Sequence, residues 1–168
     1  MDILVFSDSH GRVENIREAL QRQLEVPYAV LFLGDGLGDL KEIDFKCPVY
    51  AVCGNCDFRS WIMPPDEPDE RLIMLAGKRI MMTHGHKYSV KSGLARAIYA
   101  AADREADILL FGHTHEKMEM FLPKGTNLLG TEIKKDLYVM NPGSIGGYPS
   151  SFGCISIDGC GRILLSHG

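Results

Sequence analysis

Seven residues of this chain, each a carboxylate, amide or imidazole, stand where apolar runs end, and together they could hold metal ions. Asp8 and His10 follow the run ILVFS, and Gly34-Asp35 follow AVLFL. Gly54-Asn55 follow VYAVC, His84 follows RIMMT, and Gly112-His113-Thr114-His115 follow ILLF. A single Asp after a strand is ordinarily a turn or cap residue, and a single His is ordinarily a satisfied core or surface group. The conjunction carries the signal, because unpaired Asp and His are rarely buried together. The two x-separated pairs, Asp8/His10 and His113/His115, lie two apart, a spacing that points side chains the same way in extended chain. Oxygen and imidazole donors without thiolate suit Mn²⁺ first, with Ni²⁺, Co²⁺, Fe or Zn²⁺ also fitting; a closed structural zinc site would favour cysteine. Seven ligands exceed the needs of one ion with open positions and match two ions sharing a carboxylate. Such a pair can clamp a phosphate and acidify a water between them.

These donors need elements that bring them together. Continuous apolar runs at 3–6, 29–33, 49–53 and 108–111 read as strands covered on both faces. Val13, Ile16, Leu20 and Leu24 repeat at helical spacing, as do Val90, Leu94, Ile98 and Ala101. Residues 71–76 and 78–83 read as a hairpin about Gly77. Short strands are expected at 117–122, 126–130, 137–140, 152–157 and 162–166. Strand and helix alternate early and strands dominate late, which predicts two packed sheets with helices outside, in one domain spanning 1–168. In α/β sheets the carboxyl ends of strands converge on one crevice, where the donors fall. Gly34, Gly54 and Gly112 each precede a donor and permit tight turns with close backbone approach. The acidic stretch 64–70 reads as an exposed loop.

With 168 residues, 45% hydrophobic and 24% charged, the chain has the composition of an ordinary globular protein. Its net charge of −4 offers no basic footprint for a long nucleic acid, while a nucleotide or small phosphate ester stays compatible because bound cations supply positive charge. Five cysteines and an N-terminus that reads as a strand, MDILVFSD, point to a reducing, cytoplasmic setting. No apolar stretch approaches the roughly 18 residues that cross a bilayer. Cys53-x-x-Cys56 invites a redox reading, but it ends a strand and encloses Gly54-Asn55, an unsuitable context for a thioredoxin-like motif. Oligomeric state is left open, and a homo-oligomer is allowed.

In order, Asp8-x-His10, Gly34-Asp35, Gly54-Asn55, His84 and Gly112-His113-x-His115 resemble the signature of the calcineurin-like metallophosphoesterase superfamily. GNCD at 54–57, THGH at 83–86, FGHTH at 111–115 and MNPGS at 140–144 resemble its small YfcE-type phosphodiesterases. The resemblance implies a four-layer α/β/β/α sandwich and a dinuclear hydrolase acting on phosphodiesters, with phosphomonoesters as further candidates. It places Asp8, His10 and His115 on one ion, and Asn55, His84 and His113 on the other. Asp35 would bridge them with a hydroxide, the nucleophile. Where many members carry His after the Asn ligand, this chain has Cys56, a poor general acid at neutral pH, so no general acid is assigned. His86 is a candidate substrate contact, and Asp57 and His86 are candidates for orienting ligands. Relatives often place a basic residue shortly after Ser144, whereas this chain reads IGGYPSSFG; Arg12 and Lys87 are the candidate replacements. Asp39, in the loop GDGLGDL, matches no ligand position and reads as a solvated turn or cap. The competing reading is a non-catalytic scaffold of this fold acting through protein partners, as in the retromer scaffold subunit, whose metal site is damaged.

Overall fold

A computed structural model of the chain describes residues 1–57 and 67–168. Two five-stranded sheets carry the fold. The first runs β12 (Ile163–His167), β11 (Gly153–Ile157), β1 (Asp2–Phe6), β2 (Ala29–Phe32), β3 (Val49–Ala51). The second runs β4 (Glu70–Leu75), β5 (Lys78–Thr83), β6 (Ile108–Leu110), β10 (Leu137–Pro142), β7 (Lys117–Leu122). A small hairpin, β8 (Asn127–Leu128) with β9 (Thr131–Glu132), stands apart.

Strand alternation builds the layers. Ile3 and Val5 of β1 share a buried cluster with Ile80 and Met82 of β5 and with Ile108 and Leu110 of β6. This is the seam between the sheets. Leu4 and Phe6 turn the other way, into a cluster with Ile16 and Ala19 of helix α1 (Val13–Gln21). Met81 and Leu109 likewise turn outward to meet Ala97, Ile98 and Ala101 of α3 (Ala95–Asp103). Helix, sheet, sheet and helix therefore stack in four layers, and strands β1, β2 and β6 are apolar on both faces because both are covered. The expected α/β/β/α sandwich is borne out.

Strands β1, β2 and β3 run parallel to one another, as do β5, β6 and β10. Their carboxyl ends therefore emerge on the same side of each sheet. The hairpin about Gly77 forms as expected, with β4 and β5 antiparallel. Several expected ends shift. Leu24 lies beyond α1, fully exposed, because the helix stops at Gln21 before its period reaches it. Val90 belongs to a separate 3₁₀ turn, Val90–Ser92, that a positive-φ Gly93 divides from α3. Val52 and Cys53 are buried but lie past the end of β3. A short helix α2 (Leu37–Leu40) occupies the loop expected after Asp35. Of the acidic stretch 64–70, residues 64–66 lie outside the described residues, and Glu70 already belongs to β4. Among the described residues no helix is long and apolar enough to cross a membrane.

Candidate metal centre

All seven donors predicted from sequence meet at the carboxyl ends of the parallel strands. The loop after β1 supplies Asp8 and His10, and the loop after β2 supplies Asp35. The segment after β3 brings Asn55, while β5 and β6 lead into His84 and into His113 and His115. His84 Nε2 lies 3.1 Å from Asn55 Oδ1, 3.2 Å from His113 Nδ1 and 3.4 Å from Asp35 Oδ2. His115 Nε2 lies 3.1 Å from Asp8 Oδ1 and 3.4 Å from His10 Nε2. Among the described residues three close groups result: Asp8-His10-His115, Asp8-Asp35-His84, and His10-Asp35-Cys56. Asp8, His10 and Asp35 each belong to two of them. The Cys56 thiol thus stands beside predicted ligands, closer than a sequence reading that assigned it no role would place it.

The backbone explains how donors two apart converge. Asp8, His10, Asp35, His113 and His115 have φ of 55°, 45°, 59°, 69° and 63°. Five of seven donors therefore sit in the left-handed region, unusual for residues with a Cβ and concentrated at functional sites. The expectation from extended chain is corrected here. Left-handed turns aim Asp8 and His10 together, with His10 Nε2 3.8 Å from Asp8 Oδ1. His113 and His115, by contrast, reach different groups. The loops also hold one another: the Asp8 N–H donates to Gly34 O at 2.9 Å, and the His10 N–H to Asp35 O at 3.1 Å.

Burial and charge grade across the site. Asp8 and His84 are fully buried and Asp35 nearly so, while His10, Asn55 and His115 form an exposed rim. His84 Nδ1 donates to Leu33 O at 2.8 Å, which leaves Nε2 pointing at the cluster. Burial works against ionisation of Asp35, but the adjoining His84 ring and the Cys56 N–H outweigh it and hold the carboxyl well below its usual range. Burial, then the nearby His84, push His113 down to about 4, so its ring is neutral near pH 7. An ionised carboxylate and neutral imidazole are the forms that bind cations. Asp8 Oδ1 decides the fit. It is buried, accepts no hydrogen bond, and has the Nε2 atoms of His10, His84 and His115 within 4.0 Å. A buried carboxylate oxygen without a partner is costly, and a cation among these donors removes that cost. The residues fit divalent metal ions.

Comparison with known proteins agrees with this geometry. The calcineurin-like phosphoesterase superfamily domain matches residues 1–159. The chain belongs to this superfamily. It is 32% identical over 149 residues to the probable metallophosphoesterase YsnB of Bacillus subtilis, covering 86% of this chain and 75% of that protein. It is 27% identical over 171 residues to a phosphodiesterase of Methanocaldococcus jannaschii, covering 94% and 92%. The structure of Vacuolar Protein Sorting 29 from Cryptosporidium parvum shares the fold, with a TM-score of 0.70 at 19% identity, covering 99% of this chain and 96% of that one. Like its superfamily, the chain carries a phosphoesterase scaffold with a ligand set suited to divalent ions.

Several residues that support the centre were read too blandly from sequence. Asp39 is no solvated turn. Its Oδ2 accepts from Ser9 Oγ at 2.5 Å and from the Gly11 N–H at 2.8 Å, bracketing His10. Asn141 donates to Gly112 O at 3.0 Å and to Thr114 Oγ1 at 2.9 Å, bracing the His113-x-His115 turn. Ser144 Oγ donates to Asp8 O at 2.8 Å, so the MNPGS segment holds ligand loops in place. Lys87 is paired with Asp69 and Arg12 is exposed at the start of α1, so neither is fixed toward the cluster. All five cysteines are described and none is in a disulfide. Burial, then Asp69, push the Cys53 thiol up to about 12, so the redox reading of Cys53-x-x-Cys56 finds no thiolate there.

Close approach makes Gly54 irreplaceable. A Cβ there would lie 2.1 Å from Asp35 Oδ1 and 2.5 Å from Asp35 N. Gly54→Ala is expected to displace Asp35 and lower stability by about 2 kcal/mol or more, as overpacking against fixed backbone does. Denaturant unfolding midpoints of the two proteins check this, and equal midpoints would show that the loop yields freely.

Proposed function

We propose that the chain is a hydrolase of small phosphodiesters, nucleotide-like esters among them, dependent on two divalent cations. One domain, residues 1–168, carries the activity. Asp8, His10 and His115 hold one ion, Asn55, His84 and His113 the other, and Asp35 serves both. Mn²⁺ is the first candidate, and Ni²⁺, Co²⁺, Fe and Zn²⁺ fit the same donors. The observation that carries this reading is the unpartnered, buried Asp8 Oδ1 facing three imidazoles. Bound there, the ions would supply Lewis acidity toward a phosphoryl oxygen and lower the pKa of a water between them.

The chain's own residues do the rest. Buried Asp8, Asp35 and His84 keep the inner wall dry and rigid, and the exposed His10, Asn55 and His115 leave the outer side open to an ester. His86 sets its ring 5.5 Å from His84 and 6.2 Å from His113, with Nδ1 buried and unpartnered. That ring is placed to donate to a substrate oxygen. Burial, then the neighbouring His84, lower its pKa, so it acts as a neutral donor. No imidazole follows Asn55 to protonate a leaving alcohol, which favours aryl and other low-pKa leaving groups over alkyl ones. The M. jannaschii relative bears the name phosphodiesterase, which supports the diester preference.

The likeness to Vacuolar Protein Sorting 29 is one of fold alone at 19% identity. Chelation followed by reloading separates the readings. Hydrolysis of an aryl phosphodiester should fall to background after chelation, and Mn²⁺, Ni²⁺ or Co²⁺ should restore it. Full turnover in metal-free protein would sink the two-cation reading, and metal uptake without turnover would favour the scaffold.

A further inference from the structure

A second charged feature lies at the opposite end of the sandwich, where β5 and β10 begin. A cleft of about 650 Å³ there is lined by five cationic side chains, Lys78, Lys124, Lys134, Lys135 and Arg162. Lys78 is the first residue of β5, whose last residue, Thr83, adjoins His84. The length of that strand puts the cleft roughly 17 Å from the metal centre. It is a separate site.

The charge balance of the cleft is incomplete. Lys135 Nζ pairs with Asp107 at 2.8 Å, and Arg162 Nε with Asp158 at 2.6 Å. Asp136 spends Oδ1 on the Lys124 backbone N–H. Lys78, Lys124 and Lys134 have no carboxylate within 4.0 Å among the described residues, whereas the chain as a whole carries a net −4. Three ammonium groups, each a donor with no acceptor, therefore line the cleft outside any ion pair, and its five cationic side chains outnumber the two carboxylates that also line it, Asp107 and Asp136. A compact ligand with several negative charges satisfies them together, and lysine binds phosphate as a point charge. The volume exceeds what one phosphate fills and lies in the range of small-ligand sites. Tyr138 forms part of the wall, its ring centroid 4.8 Å from that of Phe121.

We propose that this cleft binds a linear polyphosphate, free or as the tail of a nucleotide, independently of the metal centre. Calorimetric titration with inorganic tripolyphosphate tests it, using metal-loaded protein at near-physiological salt so that weak surface pairing is screened. Three proteins are compared: the parental chain, Asp35→Asn, and the triple variant Lys78→Ala, Lys124→Ala, Lys134→Ala. Binding should persist in Asp35→Asn. It should weaken at least about tenfold in the triple variant, while that variant's diesterase kcat/KM stays within about twofold of parental. Lys134→Glu, a single exposed change, should weaken binding by itself should the triple variant not fold. Adenosine triphosphate provides the second arm. Tighter binding than tripolyphosphate, lost in Tyr138→Ala, assigns a nucleotide; equal binding assigns free polyphosphate. Undiminished binding by the lysine variants, loss of all binding in Asp35→Asn, or no binding to the parental protein would overturn the proposal.

Discussion

Asp35→Asn should cost on the order of a thousandfold or more in diesterase turnover and at least one equivalent of metal, with little change in fold. The substitution preserves shape. What it removes is the negative charge shared by two of the three donor groups. Oδ1 accepts from the Cys56 N–H at 2.7 Å and Oδ2 lies 3.4 Å from His84 Nε2. An amide can place its oxygen toward only one of these. With the oxygen toward Cys56, the amide nitrogen confronts the cation position; reversed, it confronts the Cys56 N–H. Asp44→Asn supplies the control, because Asp44 is exposed and, among the described residues, paired only with Lys46 on the surface. It should match the parental protein. Asp39 does not serve as that control, since it holds the two residues flanking His10. Elemental analysis and initial rates decide the matter. Two metals and near-parental rates in Asp35→Asn would remove Asp35 from the shared position.

Asp57→Asn should be the most destabilising isosteric change near the centre. The Asp57 carboxylate accepts four backbone N–H groups. Oδ2 takes those of Asp35 and Gly54, both at 2.8 Å, and Oδ1 takes Gly36 at 2.9 Å and Leu37 at 3.0 Å. It thereby ties the Asp35 loop, the start of α2 and the Asn55 turn into one unit. Asparagine has one oxygen for two of these donors, and its nitrogen faces the other two. Leaving buried donors unmatched costs about 1–3 kcal/mol each, so a loss of about 2–6 kcal/mol is expected for two. That corresponds to a melting temperature lower by about 4–24 °C for a chain of this size. Asp57→Ala should be at least as damaging, since it abandons all four donors. Thermal and denaturant unfolding of both variants check this. Stabilities equal to parental would mean that water replaces the carboxylate without penalty.

The two variants divide what the chain reveals in one dimension from what it does not. Donors such as Asp8, Asp35 and His84 were legible because each directly follows an apolar run. A buried strand announces itself by composition, and a polar residue at its end has few other uses. Asp57 was legible only as a candidate for orienting ligands, since it follows no apolar run, and its partners were not. In Gly54-Asn55-Cys56-Asp57 it has the look of a turn residue, and three of its four donors come from residues 35–37. Asp39 and Asn141 were hidden for the same reason, since each acts on a loop distant in sequence.

Local order therefore determined the strands, the four layers and the order of candidate ligands, because hydrophobic periodicity and strand ends are properties of contiguous residues. Helix ends were less exact: Leu24 kept the apolar period but lies beyond the last turn of α1, where no sheet covers it. Tertiary structure decided how the donors meet. His113 and His115 lie two apart yet reach different groups, as the resemblance implied, with left-handed backbone at both positions, φ of 69° and 63°. It also left Asp8 Oδ1 buried without a hydrogen bond and gathered Lys78, Lys124 and Lys134 into one cleft. Burial, unmatched charge and hydrogen bonds between distant loops arise from the packing of two sheets, and no stretch of contiguous residues encodes them.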